Sequence, residues 1–259
     1  LIKKILKFFR IQNSFEKFIK KNDFGLVIFI DQSLLAIYCE NINFIFNIWQ
    51  LGHKKNAFFP EYKDEVLFNI EKLYKFAADR AFNILVDCEK SRKEFANFYN
   101  CAINKIKIQP LIPYLVSKKI SKHPSIISEK LSNVDLTKTF FYPAQFWAHK
   151  NHSYILDAFD YLKKMQLNEY NCIFTGRDRG TLDFIKKKVI NLNLDKNIII
   201  FEYLSDEEII HLYKNCFSVI LPTFVGSTSL PLLEAFYFKS KIIYNAEILD
   251  DEFKDKVIN

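Results

Sequence analysis

The chain has 259 residues, of which 49% are hydrophobic and 26% are charged, so it can fold around a sizeable core and is not disordered. Its 37 basic and 30 acidic residues give a net charge of +7, which suits an anionic ligand but is too diffuse to indicate nucleic acid. No apolar run approaches the roughly 20 residues of a membrane span, and no signal-peptide pattern is present, which predicts a soluble protein of the cytoplasm.

The pattern of cysteines also indicates the cytoplasm. The sequence has five of them and no C-x-x-C pair, a pattern typical of reduced core residues in a cytosolic protein, and it indicates no metal site. They are Cys39, Cys88, Cys101, Cys172 and Cys216. Because the sequence starts at Leu1 and stops at Asn259 without an evident closing element, we expect a partial chain.

The first predicted element is an amphipathic helix over residues 1–21, where apolar side chains recur at helical spacing with basic residues between them. Its apolar face is expected to pack on the protein's own sheet. The alternative is a peripheral contact with the cytoplasmic face of a membrane, made by the basic residues of this helix. These are Lys3, Lys4, Lys7 and Arg10.

Short runs of β-branched and aromatic residues then alternate with helical patterns as far as residue 110. Strands are predicted at 26–31, 43–49, 82–87 and 105–110, and helices at 32–41, 62–81 and 89–100. The strands show no polar alternation, which indicates burial on both faces. This order predicts an α/β fold with a parallel sheet covered by helices.

Residues 110–124 have no clear period and carry spaced prolines and a basic run, which indicates a crossover between two domains. We predict an N-terminal domain over 1–115, a linker over 116–136 and a C-terminal domain over 137–259. The second domain has predicted strands at 137–144, 171–176, 197–204, 217–222 and 241–246, and helices at 151–165, 181–191 and 206–215. Both domains are expected to be doubly wound, with ligands beyond the carboxyl ends of the strands.

The stretch 221–238 is the predicted ligand site, because it reads as a buried strand, a loop of small residues and a helix. Gly226 allows close backbone approach, and the next residues offer hydroxyls and N–H groups at a helix N-terminus, which favours an anion. The hydroxyls belong to Ser227, Thr228 and Ser229, and Leu230 adds a backbone N–H group. Glu234 is the one charge between Leu221 and Phe238, and it either hydrogen-bonds a ligand hydroxyl pair or reaches solvent.

Several chemistries lack their usual motifs. The sequence has no G-x-G-x-x-G, P-loop, H-E-x-x-H or G-x-S-x-G pattern, which removes the usual support for dinucleotide oxidoreductases, NTPases, zinc proteases and serine hydrolases. It also lacks a D-x-D pair, which argues against a metal-bridged diphosphate. Helix ends and basic side chains then remain to neutralise a phosphate. Lys150, between a predicted strand end and a helix start, is well placed to reach one.

Four segments, in order, carry a family resemblance. They are FYPAQFWAHKNH (141–152), TGRDRG (175–180), FEYLSDEE (201–208) and LPTFVGSTSLPLLEA (221–235). Over residues 137–259 the chain resembles the donor domain of the retaining GT-B glycosyltransferases known as group 1. Upstream, DFGLVIFID, FIFNIWQLGHKKNAFFPEY and ILVDCEKSRKEF resemble the later part of that family's acceptor domain more weakly. The resemblance implies a GT-B fold, with two Rossmann-like domains facing a cleft and the N-terminal domain incomplete.

The resemblance also implies roles for individual donor-binding positions. Lys150 matches the family's lysine that contacts the donor diphosphate, whereas Gln145 stands where an arginine is usual. Glu234 matches the second glutamate of the E-x7-E motif, which binds the ribose, and the first glutamate falls on Gly226. The backbone at Tyr203–Leu204 corresponds to the segment that faces the nucleobase.

The acceptor half departs from the family's pattern. Trp49 and Gln50 stand where the family often has His-Asp, so His53 is the remaining catalytic candidate near the cleft. The structural alternative is that His53, a lone histidine beside a glycine, only hydrogen-bonds its neighbours.

Other polar residues lie near the candidate site in sequence. His149 and His152 flank Lys150 and could contact a phosphate, and His152 could equally cap the next helix. Arg177 and Arg179 follow a strand end at the same sheet edge, where solvent exposure is the default expectation.

The resemblance implies a glycosyltransferase that moves a sugar from a nucleotide-diphosphate sugar to a hydroxyl of a glycan or lipid-linked acceptor, with retention, as in polysaccharide or lipopolysaccharide biosynthesis. The nucleotide sugar would be a co-substrate, with no metal, no other cofactor and no nucleic acid partner. Gly226, Gln145 and the Trp49-Gln50 pair motivate a second hypothesis, a nucleotide-sugar-binding or assembly subunit without turnover. A third is a GT-B epimerase acting on the nucleotide sugar itself.

Overall fold

The structure is a computed structural model that describes residues 13–117 and 129–258. The first part of the predicted helix at 1–21 and residues 118–128 of the predicted linker lie outside the described residues. The basic residues of the membrane alternative, Lys3, Lys4, Lys7 and Arg10, lie outside them as well, so that alternative stays a prediction.

The described chain divides into two compact units. The first contains the described residues up to Phe58 together with Tyr62–Pro110, and the second contains Phe59–Glu61 together with the described residues from Leu111 onward. The assignment of one domain to the acceptor and the other to the donor stays a prediction.

The first unit is built on a four-stranded parallel sheet with the order β1-β2-β3-β4. Its elements are α1 (Ser14–Lys21), β1 (Val27–Phe29), a 3-10 helix (Leu34–Tyr38), β2 (Phe44–Asn47), α2 (Gly52–Lys55), α3 (Asp64–Arg80), β3 (Asn83–Val86), α4 (Glu89–Tyr99), a 3-10 helix (Ile103–Lys105) and β4 (Ile106–Ile108). A further 3-10 helix, Pro60–Tyr62, has its first two residues in the second unit and its last in the first. The predicted elements of this half are confirmed where they are described, and α2 is an addition.

Apolar residues hold this sheet together. Phe44 and Ile84, on neighbouring strands, are fully buried, and the Phe29 and Phe44 rings meet edge to face with centroids 5.8 Å apart. Such pairs add to the free energy gained by burial. In α1, Ile19 is buried and the Phe15 ring lies 6.4 Å from Phe29. The described part of the predicted N-terminal helix therefore packs on its own unit.

The second unit is built on a five-stranded parallel sheet with the order β7-β6-β5-β8-β9. Its elements are α5 (Tyr114–Ser117), α6 (Glu129–Ser132), β5 (Thr139–Pro143), α7 (His152–Lys164), β6 (Asn171–Thr175), α8 (Leu182–Asn191), β7 (Ile198–Phe201), α9 (Asp206–Asn215), β8 (Ser218–Leu221), α10 (Leu230–Tyr237) and β9 (Ile242–Tyr244), with 3-10 helices at Leu136–Lys138, Ala148–Lys150 and Asp251–Lys256. The predicted alternation of strand and helix is confirmed.

Local sequence explains where these elements begin and end. Phe141 in β5, Ile173 in β6 and Val219 in β8 are fully buried, as expected for strands covered on both faces. α9 starts with the capping box that S-x-x-E predicts, in which the Ser205 hydroxyl accepts from the Glu208 N–H and the Glu208 carboxylate accepts from the Ser205 N–H. These signals position the strand ends, and hence the loops that follow them.

Gly176, directly after β6, lets two of these loops approach each other closely. A Cβ atom at this position would lie 2.7 Å from the Gln145 Cα in the loop after β5, a separation that real Cβ atoms do not adopt. The backbone contact between the loops therefore requires glycine.

We expect Gly176→Ala to lower the free energy of unfolding by about 1–3 kcal/mol, because backbone atoms must move to admit the methyl group. Chemical denaturation with a shared slope for both proteins measures the change. Gly25→Ala is the matched control, because a Cβ atom there meets nothing within 4 Å. Equal unfolding midpoints for the two variants would contradict the close approach.

Candidate functional site

The sheet of the second unit has a switch point between β5 and β8. β6 and β7 lie on one side of β5, whereas β8 and β9 lie on the other. In such a sheet the chain connections leave the two central strands in opposite directions, and ligands bind outside the carboxyl ends of those strands. The loops after β5 and β8 flank this position. They hold most of the predicted donor-binding residues, namely Gln145, Lys150, Gly226, Ser227, Thr228 and Ser229.

Lys150 is a half-buried cation at the end of the 3-10 helix after β5. The Tyr142 hydroxyl donates to the Lys150 carbonyl oxygen, and Asn151 follows in the left-handed conformation with φ 58°. Desolvation lowers the pKa of the Lys150 ammonium to about 8. Within residues 13–117 and 129–258 the ammonium makes no hydrogen bond or ion pair. The loop therefore presents a positive charge with no counter-ion among the described residues.

Hydrogen bonds on both sides of Lys150 join its loop to the loop after β8. The Phe224 N–H donates to the His149 carbonyl oxygen at 2.9 Å, and the Asn151 side-chain amide donates to the Pro222 carbonyl oxygen at 3.3 Å. The structure thus brings together two segments that the sequence places only at the same sheet edge.

The loop after β8 is held in place from the other side as well. The Tyr244 hydroxyl donates to the Gly226 carbonyl oxygen at 2.9 Å, and the Asp250 N–H donates to the Ser227 carbonyl oxygen at 3.1 Å. Gly226 has φ +107°, a conformation that is strained for any residue with a side chain. This conformation explains in physical terms why the loop uses glycine.

The same loop leads into α10 with unpaired backbone donors. The Ser229 side chain caps the helix by accepting from the Leu232 N–H at 3.3 Å, and Pro231 lies in the first turn, where its missing N–H costs little. In the part of the chain that the structure describes, the N–H groups of Ser227, Ser229 and Leu230 have no acceptor. Free amides at a helix N-terminus favour an anion.

Glu234, one turn into α10, is buried with 9% of its surface exposed, so the expectation that it reaches solvent is wrong. The Tyr213 hydroxyl in α9 donates to Glu234 Oε2 at 2.8 Å. Burial raises the pKa of Glu234, the Tyr213 hydrogen bond opposes this rise, and the charge of Asp206 adds to it. Tyr213 stays neutral, because burial raises the pKa of its hydroxyl.

Tyr213 is a residue that sequence reasoning misses. It is almost fully buried on the core side of α9, as is Ile210 three residues earlier. A tyrosine at a core position of a predicted helix needs a partner for its hydroxyl, and that requirement is the one signal the sequence offers.

The loop after β7 contributes the predicted pair Tyr203 and Leu204. The Tyr203 ring is 78% exposed, whereas Leu204 is buried next to the Ser205 cap of α9. An exposed ring at this edge of the sheet can stack on a planar ligand.

Gln145 is exposed in the loop after β5, and its side-chain oxygen accepts two hydrogen bonds. Trp147 Nε1 donates at 3.1 Å and Arg179 Nε donates at 3.0 Å. Arg177 and Arg179 are both exposed, as expected, and only Arg179 has side-chain contacts among the described residues.

The two histidines that flank Lys150 differ in their surroundings. Glu61 Oε1 accepts from the His149 backbone N–H at 3.0 Å and lies 2.5 Å from its Nδ1. Burial alone would raise the pKa of Glu61, but the His149 hydrogen bonds outweigh it and the pKa lies below its ordinary value. Neither expectation for His152 holds: it has 2% exposure, its ring stacks on Phe146, and burial lowers its pKa to about 3.

His53, the catalytic candidate, lies in the first unit, in α2. It has 2% exposure, and its Nε2 lies 3.1 Å from Glu71 Oε1 and 2.9 Å from the Tyr99 hydroxyl. Burial lowers its pKa, while the Glu71 charge opposes that change. These surroundings favour a structural role. Gln50 nearby accepts from the Gly52 N–H and the Tyr62 hydroxyl, while the Trp49 indole donates to the Ile30 carbonyl oxygen.

Metal-ligand clusters and membrane-spanning helices are both absent from the described residues. Across 13–117 and 129–258, no three His, Cys, Asp or Glu side chains form a group that could hold a metal ion. No helix in the same part of the chain is long and apolar enough to cross a membrane.

Comparison of the sequence with known protein families shows which family the chain belongs to. The family described as "Glycosyl transferases group 1" matches residues 125–257, just over half of the chain. The chain therefore belongs to this family. No curated protein matches it.

Comparison with solved structures bears on the fold. The chain is similar to WaaG, a glycosyltransferase involved in lipopolysaccharide biosynthesis, with a TM-score of 0.69 and 12% identity over 93% of this chain and 65% of WaaG. It is similar to Anabaena Alr3699/HepE in complex with UDP, with a TM-score of 0.64 and 13% identity over 88% of this chain and 62% of that one.

A third similar structure is a S. aureus TarM mutant in complex with fondaparinux, alpha-GlcNAc-glycerol and UDP, with a TM-score of 0.62 and 14% identity. The match covers 85% of this chain and 40% of the TarM chain. The chain thus spans only part of the length of these proteins. At such identities the likeness shows the fold alone, and it confirms the α/β class and the GT-B fold that the resemblance implies.

Proposed function

We propose that the protein takes part in transferring a sugar from a nucleotide-diphosphate sugar to a hydroxyl of a glycan or lipid-linked acceptor, with retention of configuration. The single observation that carries this proposal is Lys150, a half-buried cation with no counter-ion among the described residues, at the switch point of a parallel sheet. The family match and the UDP bound in the HepE and TarM structures support the same ligand class.

In this proposal the second unit holds the leaving group. Lys150 and the free N–H groups of Ser229 and Leu230 bind the diphosphate, whose negative charge grows as the sugar departs. Donors that are already in position stabilise that charge without reorganisation, and this is where electrostatic catalysis contributes most. Glu234 accepts hydrogen bonds from the ribose, and the Tyr203–Leu204 segment faces the base. No metal ion is needed, because the lysine and the amides supply the positive charge.

The second candidate is a subunit that binds a nucleotide sugar without turning it over. Two observations favour it. Gly226 occupies the position of the first glutamate of the family's E-x7-E motif. His53 is buried beside Glu71 and Tyr99 rather than exposed to a substrate. A nucleotide-sugar epimerase of the same fold is the third.

A binding and turnover panel separates the candidates. UDP-, GDP-, ADP- and dTDP-sugars are titrated into the protein, and the tightest binder is then incubated with and without glycan acceptors. Transfer to an acceptor or hydrolysis of the donor supports the glycosyltransferase, and NMR of the product reports retention. Binding without either reaction supports the binding subunit, and a new sugar isomer without acceptor supports the epimerase. The absence of any nucleotide-sugar binding would contradict the proposal.

The affinity for a nucleoside diphosphate should depend on pH through Lys150. Anion binding needs the charged lysine, so affinity should fall by about tenfold between about pH 7 and about pH 9, as the pH passes the Lys150 pKa of about 8. A lysine with its ordinary pKa would stay charged over this range. Calorimetric titration of UDP measures the change, and Lys150→Arg, which stays charged, is the control. Equal decline in both proteins would contradict the role of Lys150.

A further inference from the structure

Arg179 differs from Arg177, the other arginine in the loop after β6, because a neutral anchor, the side-chain amide of Gln145, holds it in place. Its Nε donates to Gln145 Oε1 at 3.0 Å, and its guanidinium carbon lies 5.5 Å from the centroid of the Trp147 ring. Trp147 Nε1 donates to the same Gln145 oxygen at 3.1 Å. The amide oxygen and the indole ring together fix the guanidinium plane, although the side chain is exposed.

The anchor leaves the ligand-binding part of the guanidinium free. In the described part of the chain the two terminal Nη groups of Arg179 have no partner, and no carboxylate pairs with the side chain. The neighbouring Asp178 is occupied elsewhere, because its Oδ1 accepts from the N–H groups of Gly180 and Leu182. An arginine held through Nε presents a planar pair of donors whose geometry matches two phosphate oxygens.

The loop of Arg179 is bonded to the loop that carries Lys150. The Phe146 N–H donates to the Arg177 carbonyl oxygen at 3.0 Å, and the Thr181 hydroxyl donates to the Phe146 carbonyl oxygen at 2.6 Å. Gly176 permits this approach, because it has no side chain to separate the two backbones. Arg179 and Lys150 therefore project from two segments of one hydrogen-bonded assembly at the carboxyl edge of the sheet.

We propose that Arg179, positioned by Gln145 and Trp147, is a second cationic residue for the diphosphate of the nucleotide ligand. This inference rests on the proposed function and names a residue of the same site. The cation comes from the loop after β6, and the neutral Gln145 in the loop after β5 serves as its anchor. A neutral anchor leaves the full positive charge of the arginine available to the ligand.

The test compares two charge-neutralising variants from the same loop. Arg179→Gln should weaken binding of the nucleoside diphosphate that wild type binds best, among UDP, GDP, ADP and dTDP, by about tenfold. Arg177→Gln removes the same charge from an exposed side chain that has no contacts in the described chain, and should change affinity by less than about twofold. Binding of the corresponding nucleoside should not change in either variant, because it lacks the diphosphate.

Gln145 provides a separate test of positioning. Gln145→Leu should weaken diphosphate binding by about threefold, since the arginine loses its anchor. The double variant Gln145→Leu/Arg179→Gln should bind no more weakly than Arg179→Gln alone, because the amide acts only through the arginine. Additive losses would overturn the positioning role.

The outcomes separate this inference from the proposed function. If wild type binds none of the four nucleoside diphosphates, both are overturned. If wild type binds one, and the Arg179 and Arg177 variants bind it equally well, only the inference is overturned. A loss of nucleoside binding in Arg179→Gln equal to the loss of diphosphate binding would also overturn it, because that result would report a disturbed fold.

Discussion

Lys150→Met is expected to weaken binding of a nucleoside diphosphate by about 30–100-fold and, at neutral pH, to raise the unfolding temperature of the protein without ligand. The loss of binding follows from removing a half-buried charge-assisted donor. The gain in stability follows from removing a charge that is desolvated in the folded state and unpaired among the described residues. A binding residue and a structural residue differ in this respect, because loss of a structural contact would lower the unfolding temperature.

The sign of the stability change follows from linkage. The pKa of Lys150 is about 8 in the folded protein and about 10.4 in an unfolded chain. Below pH 8 the lysine is charged in both states, and its desolvation destabilises the folded state. Between these two pKa values the unfolded chain binds more protons than the folded one, so this destabilisation decreases as pH rises. The advantage of Lys150→Met over wild type should therefore be largest at neutral pH and decrease above pH 8.

Differential scanning fluorimetry across this pH range, together with calorimetric titration of the nucleoside diphosphate, checks both parts. Lys187→Met is the control, because Lys187 is exposed on α8 and makes no contact in the described chain. It should change neither the unfolding temperature nor the affinity appreciably. A destabilised Lys150→Met protein, or one that binds the diphosphate as tightly as wild type, would contradict the assignment of Lys150 as a desolvated binding residue.

Much of the fold can be predicted from the sequence, because the residue patterns that define its strands and helices are local. Short runs rich in apolar residues, such as 171–176, favour strands covered on both faces, and the helix patterns between them indicate the parallel arrangement. The capping box at Ser205 fixes the start of α9 to the residue. The short α2 helix, Gly52–Lys55, has too few residues to show a period, and the sequence does not predict it.

The candidate site is predictable only in part, for a physical reason. Parallel strands place their carboxyl ends at one edge, so the positions of Lys150 and the Gly226 loop follow from the order of elements. Their polar partners come from distant parts of the chain: Tyr213 lies 21 residues from Glu234, Arg179 lies 34 from Gln145, and Glu61 lies 88 from His149. Such pairings depend on tertiary packing, and local propensity does not encode them.

Tyr213 affects both the stability of the second unit and the hydrogen-bonding capacity of Glu234 in the candidate site. Its hydroxyl is the one hydrogen-bond donor to the Glu234 carboxylate among the described residues, and it joins α9 to α10. A buried carboxylate with a donor on one oxygen keeps acceptor capacity on the other. Glu234 is thus partly satisfied by the protein and retains capacity for a ligand hydroxyl, as the ribose-binding role proposed for it requires.

Glu234→Gln is expected to weaken binding of the ribonucleoside diphosphate by about 10–30-fold, because a neutral amide accepts weaker hydrogen bonds from the ribose hydroxyls than a carboxylate does. The 2′,3′-dideoxy analogue of the same nucleotide lacks those hydroxyls. It should bind wild type and Glu234→Gln with nearly equal affinity, and this ligand comparison distinguishes ribose recognition from a general disturbance of the site.

Two further variants complete this experiment. Glu169→Gln is the matched control, because Glu169 is exposed in the same unit without contacts among the described residues, and it should bind both nucleotides as wild type does. Tyr213→Phe removes the donor to Glu234 and should lower the free energy of unfolding by about 1–3 kcal/mol. If Glu234→Gln weakened the ribonucleotide and its dideoxy analogue equally, Glu234 would act on the fold of the loop and not on the ribose.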